Sequence, residues 1–163
     1  MSINEECLWL DGFFSALSTI CGAGKYSSGA MIFELNDADL VGSLRRALGD
    51  GELELVASNH NFDEPQLIEN MESWLEVFLQ NFLSKVLRSE GDNDEEHKNL
   101  VEYVRWKIIE GIYRVCDFGM SNCFILNSVI SESYCSYIII PALDKHLVLV
   151  FSESSNENEA RST

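Results

Sequence analysis

Between Asp63 and Arg88 the apolar residues Leu67, Met71, Trp74, Leu75, Phe78, Phe82 and Val86 fall three and four positions apart. Only a long amphipathic helix gathers such a set onto one face. Asp63 is placed to cap its start, Pro65 is tolerated in its first turn, and Lys85 and Arg88 lie where the helix dipole favours positive charge. An apolar stripe of this length must be buried against other elements, and the next segment supplies one. After a polar break of Glu90, Gly91, Asp92, Asn93 and Asp94, the residues Leu100, Val101, Val104, Ile108, Ile112 and Val115 describe a second long helix. So short a break predicts an antiparallel pair.

The segments on either side of this pair decide the fold class. Ser2 and Glu5 have capping-box spacing, and Leu10, Phe13, Phe14, Leu17, Ile20 and Cys21 then continue a first helix to about Gly22. Alternation through Met31, Phe33 and Leu35 predicts a strand. Asn36 and Asp37 are read as caps of a short helix carrying Leu40, Val41, Leu44 and Leu48, which Gly49, Asp50 and Gly51 end. Leu53 and Leu55 alternate with Glu52 and Glu54, which predicts a half-exposed second strand. Beyond Gly119, the runs Cys123 to Ile130, Tyr134 to Ile140 and His146 to Phe151 read as three antiparallel strands in sequence order. The middle run is apolar on both faces and belongs in the centre. The expectation is an α+β fold: an antiparallel sheet including a C-terminal three-stranded meander, packed against the long antiparallel helix pair and the N-terminal helix. Residues 1–152 form one domain, and residues 153–163 are expected to be a disordered acidic tail.

Five cysteines without a C-x-x-C pair give neither a disulfide framework nor a zinc ribbon, so free thiols in a reducing, cytoplasmic setting are expected. The apolar N-terminal stretch lacks the basic start of an export signal, since Glu5 and Glu6 precede it and Asp11 interrupts it. No apolar run approaches the ~20 residues of a membrane span. The net charge of −16 is spread over the folded body, and from residue 144 onward only Asp144, Glu153, Glu157 and Glu159 contribute acids. A field of that sign disfavours nucleic acid and anionic lipid, and favours a basic protein.

Local signatures of catalysis are absent. Gly22, Ala23, Gly24 and Lys25 resemble a phosphate-binding loop only in part: Thr19 occupies the first glycine position, Tyr26 follows the lysine, and the glycines end a helix rather than lead into one. Asp117, Phe118 and Gly119 match a kinase tripeptide without any accompanying kinase motif. His60, His97 and His146 are too scattered for a local metal site, with His60 and His97 expected in solvent and His146 at a sheet edge. No catalytic residue, metal ligand or cofactor is assigned, and the chain is not expected to be an enzyme.

The positive signal is charge segregation. No Lys or Arg occurs between Arg46 and Lys85, where Asp50, Glu52, Glu54, Asp63, Glu64, Glu69, Glu72 and Glu76 accumulate, and Glu90, Asp92, Asp94, Glu95 and Glu96 form a second acidic group. Such blocks either keep a protein in solution or steer a complementary partner. Trp74 lies on the main apolar face of its helix and is expected in the core, whereas Trp106 shares with Tyr103 and Tyr113 a face that either covers the sheet or forms an exposed patch.

With its acidic second quarter, long helix pair and closing meander ending in Lys145, His146, Leu147, Val148, Leu149, Val150 and Phe151, the chain resembles the heterogeneous class of small bacterial immunity proteins. These are encoded beside contact-dependent or otherwise secreted toxins, many of them nucleases. The resemblance implies a stoichiometric inhibitor whose carboxylates, the thirteen acids named above, mask a basic cognate toxin. A cytosolic chaperone for a secreted effector is the alternative of a different class, and an enzyme with a site built from scattered carboxylates is a third. The oligomeric state is left open by the sequence.

Overall fold

A computed structural model describes residues 2–21, 25–50, 54–62, 64–86, 94–116, 123–130 and 133–154. The elements are α1 (Ile3–Cys21), β1 (Tyr26–Phe33), α2 (Leu40–Leu48), β2 (Val56–Phe62), α3 (Glu64–Val86), α4 (Asp94–Val115), β3 (Cys123–Ile130), β4 (Ser133–Ala142) and β5 (Lys145–Ser154). The five strands form one antiparallel sheet in the order β1-β5-β4-β3-β2. The C-terminal meander thus fills the centre and the two earlier strands take the edges. The chain crosses the sheet once: α2 links the two edge strands over one face, while α3 and α4 return from β2 to its neighbour β3 and, with α1, cover the other face.

The capping box is formed in full at the start of α1. Ser2 N donates to Glu5 Oε2 at 2.7 Å and Glu5 N to Ser2 Oγ at 3.3 Å. Those bonds hold the Glu5 carboxyl below its ordinary value, the Ser2 backbone donor contributing most. The cap of α2 is Asp39, not Asn36 or Asp37: Asp39 Oδ1 accepts from Gly42 N at 3.0 Å, and Gly49 closes the helix at φ 70. Asp37 instead meets His146 Nε2 at 2.8 Å. His146 is therefore no edge residue. It is 6% exposed, and its Nδ1 accepts from Leu35 N at 3.4 Å, so Nε2 carries the proton and donates to Asp37 in the neutral ring.

Leu10, Phe14, Leu67, Met71, Leu75, Leu79, Ile108 and Ile112 are all buried between the helices and the sheet face that presents Ile125, Ile138, Ile140, Leu147, Leu149 and Phe151. α3 and α4 pack on one another, and with 87–93 as their whole connection they must run antiparallel. The opposite sheet face, with Leu126, Tyr137, Ile139 and Val148, is covered by Leu44 of α2. β4 is buried on both faces through Tyr137 to Ile140, as a central strand must be.

Four boundaries differ from the sequence reading. β1 begins at Tyr26, ahead of the apolar alternation, because Ser27, Ser28 and Gly29 pair with Ser152, Phe151 and Val150. β5 correspondingly runs through Glu153 to Ser154, past the boundary placed at residue 152; residues 155–163 lie outside the described residues. The second strand lies at 56–62, and Glu54 and Leu55 precede it. It is an edge strand with register shifts on either side of Asn59, so it needs no apolar alternation. Asp94, Glu95 and Glu96, assigned partly to a polar break, open α4, where acids suit the helix dipole.

α1 closes the outer edge of β1. Ser28 N donates to Ser18 Oγ at 2.8 Å and Ala30 N to Asp11 Oδ1 at 2.9 Å, so two edge amides are satisfied by side chains of one helix. Gly29 permits the approach, since a Cβ there would lie 3.1 Å from Asp11 Oδ1. Asp11→Ala is expected to destabilise the fold by about 1–3 kcal/mol, the cost of a part-buried amide left without its acceptor, while Asp11→Asn, which keeps the oxygen, loses less. Urea titrations of the two variants check this, and equal loss in both would argue for charge rather than the hydrogen bond.

Candidate functional site

The acidic residues named from the sequence do not share one surface. Asp50 and Glu54 are exposed on the α2 side of the sheet, where Asp50 is close enough to raise the Tyr137 phenol further, after burial and Cys135 have done most of it. Glu69 and Glu76 are exposed on α3, across the sheet from them. Seven residues of helix put this pair about 10 Å apart on one outward line. Glu95 and Glu96 are exposed in the first turn of α4, which the antiparallel arrangement sets at the far end of the helix pair from Glu69. Glu64 opens α3, Glu72 lies within it and Asp94 opens α4, while Glu52, Asp63, Glu90 and Asp92 lie outside the described residues.

Charge pairing divides the acids into two sets. Lys25, Arg46, Arg105, Lys107 and Arg114 each lie within 4.0 Å of a carboxylate, those of Glu153, Asp39, Glu102, Glu110 and, for Arg114, both Glu110 and Glu6. Glu69, Glu76, Glu95 and Glu96 form no ion pair among the described residues. Glu34, Glu54 and Asp144 are likewise exposed and outside these pairs, so the outer face of α3 and the start of α4 carry a part of the negative excess.

Aromatic residues divide in the same helix layer. Trp74 is half-buried, stacked against Phe151 at 5.6 Å and Tyr134 at 6.0 Å, in agreement with a core role. Trp106 resolves to the exposed alternative: it is 56% exposed, beside Tyr103 at 60% and Tyr113 at 40%. α4 packs mainly on α3 and α1. Sequence reasoning missed Trp9 of α1, also 40% exposed, which lies under the Arg114 guanidinium at 5.5 Å. Its partner Phe13 stacks on it at 5.7 Å, so the periodicity of α1 reads the same whether Trp9 faces in or out.

An open groove of about 280 Å³ lies between α1 and β1, lined by residues that include Cys7, Leu8, Asp11 and Met31. Among the described residues no three His, Cys, Asp or Glu side chains are placed to hold a metal ion, and no helix is long and apolar enough to cross a membrane. Cys7, Cys123 and Cys135 are free thiols. Burial, with a smaller effect of Asp11, pushes Cys7 up to about 11, and burial alone pushes Cys123 up to about 12. At pH 8 the thiolate fraction of either is on the order of 10⁻³ or less, so both should resist alkylation in the native protein. Denaturation without reductant should then release all five thiols of the chain to a thiol reagent. Fast native labelling of Cys7, or a count below five, would contradict this environment.

Comparison with protein-family models, with curated proteins and with solved structures gives no match.

Proposed function

We propose that the chain is a stoichiometric protein inhibitor that captures a basic cognate protein, in the manner of the small immunity proteins it resembles, within a reducing compartment. The observation that carries this reading is the exposed pair Glu69 and Glu76, supported at the far end of the helix layer by Glu95 and Glu96, with no cation in ion-pair contact with them among the described residues. Among the described residues none of these carboxylates has an ion-pair partner. Two unpaired charges on one rigid helical line present a fixed pattern to Lys or Arg side chains of a folded domain, and a rigid helix loses little entropy on binding. If the partner is a nuclease, these oxygens would occupy the positions of substrate phosphates and mask the site by charge mimicry.

The test takes the product of the reading frame adjacent to the one that encodes this chain. A 1:1 complex with a folded, basic protein, together with protection of cells expressing that protein, is the expected result. Absence of a complex, or binding only to an unfolded segment of the neighbour, would overturn the inhibitor reading, the latter in favour of a chaperone.

A further inference from the structure

We propose that the chain pairs with a second copy of itself through the exposed face of α4, with Tyr103, Trp106 and Tyr113 as the seam. This surface is separate from the carboxylates of α3.

The first argument is spacing. Tyr103, Trp106, Glu110 and Tyr113 follow one another at three, four and three residues along a 22-residue helix, the repeat by which two helices keep one seam in contact. The buried residues Val104, Ile108 and Ile112 occupy the other side, so this repeat is in excess of what the core requires. In a two-fold antiparallel crossing centred near Ile108, Tyr103 of one copy opposes Tyr113 of the other and Trp106 opposes Glu110. Every position of the seam then has a counterpart, as an isologous contact demands.

The second argument is charge. At −16 the chain repels its own copies over most of its surface. On this face three cations meet three carboxylates: Lys107 lies 3.6 Å and Arg114 2.8 Å from Glu110, Arg114 also 4.0 Å from Glu6 of α1, and Arg105 3.7 Å from Glu102. A basic protein is drawn instead to the unpaired acids of α3, and an acidic one finds no positive surplus here. What a neutral aromatic face on a strongly acidic chain meets without electrostatic penalty is the same face on another copy.

The third is area. Tyr103, Trp106, Tyr113 and the neighbouring Trp9, at 40% to 60% exposure, present roughly 300 to 500 Å² of aromatic surface. The stems of Lys107 and Arg114 extend it towards the ~800 Å² per partner of a standard interface.

Sedimentation velocity over a wide concentration range reads the result directly. The full chain should move from 18.4 kDa to twice that mass. Trp106→Glu should weaken dimerisation by about thirtyfold or more, a hot-spot loss, with an unchanged far-UV spectrum. Tyr103→Arg provides a second reading should the first variant not fold. Glu69→Lys with Glu76→Lys should dimerise like wild type, which keeps a failure here distinct from a failure of the inhibitor reading. A chain that stays monomeric at the highest concentration overturns the proposal, as does a dimer that survives both α4 substitutions or a monomer that binds neutral lipid vesicles through this face.

Discussion

Replacing Phe151 by Ala is expected to cost about 3–5 kcal/mol of folding stability, a large part of the 5–15 kcal/mol that holds a domain together. Phe151 is fully buried on β5. Its ring meets Phe14 of α1 edge-on, with centroids 5.5 Å apart at 89°, and lies nearly parallel to Trp74 of α3 at 5.6 Å and 17°. One side chain thus joins two helices to the sheet. The cavity left by its removal cannot close cheaply, because β5 is paired on both sides at this residue, with Ser28 of β1 and Ser136 of β4. Phe151→Leu, which refills most of the volume, should cost much less. Urea unfolding followed by circular dichroism should show a lower midpoint with an unchanged slope. A loss below about 1 kcal/mol for Phe151→Ala would mean that the helix layer does not rest on this part of the sheet.

The helices and the central strands were legible because each satisfies a periodic burial requirement. Leu67, Met71, Leu75 and Leu79 repeat at helical spacing and are all buried, and Tyr137 to Ile140 are apolar in succession because both faces of β4 are covered. The edges were not legible. Ser27 and Ser28 carry no apolar signal, yet they are in β1, where the Ser28 hydroxyl bonds Ser18 and the carbonyl of Phe14, and the Ser27 hydroxyl meets that of Ser152. Asn59 interrupts β2, which an edge strand tolerates and a central strand would not. Ser152, Glu153 and Ser154 hid the end of β5 in the same way. Asp11 was visible only as an interruption of an apolar stretch, although its carboxylate holds the Ala30 amide.

For the candidate site, exposure of individual acids was legible and their grouping was not. Glu69 and Glu76 fall opposite Leu67, Met71 and Leu75 on α3, so helical periodicity alone puts them outside. Asp50 and Glu54 are near them in sequence, but α2 and α3 cover opposite sheet faces, and only the topology reveals that the sheet lies between. Phe78, expected from the sequence at the centre of the α3 core face, lies within α3, its side chain outside the described residues. Trp106 could not be decided from its helix, because an aromatic residue on a second face suits either a middle layer or a surface. That α4 has only α1 and α3 as principal neighbours decides it.

Reversing the charge of the α3 line is expected to have the largest functional effect. Glu69→Lys with Glu76→Lys changes exposed side chains that have no ion-pair partner among the described residues, so the variant should fold as wild type does. Steering by complementary charge raises association from about 10⁵–10⁶ M⁻¹s⁻¹ towards 10⁸ M⁻¹s⁻¹ or more at low salt. Its reach shrinks from about 10 Å at 0.1 M salt to about 3 Å at 1 M. The variant should therefore associate with the basic partner about tenfold to a hundredfold more slowly at low salt, and the two proteins should converge as salt rises. Stopped-flow association of wild type and variant with the basic partner proposed above, taken across a salt series, tests the central claim. The account predicts a steep fall of the wild-type rate with salt and a shallow one for the variant, and equal rates with equal salt slopes would contradict it.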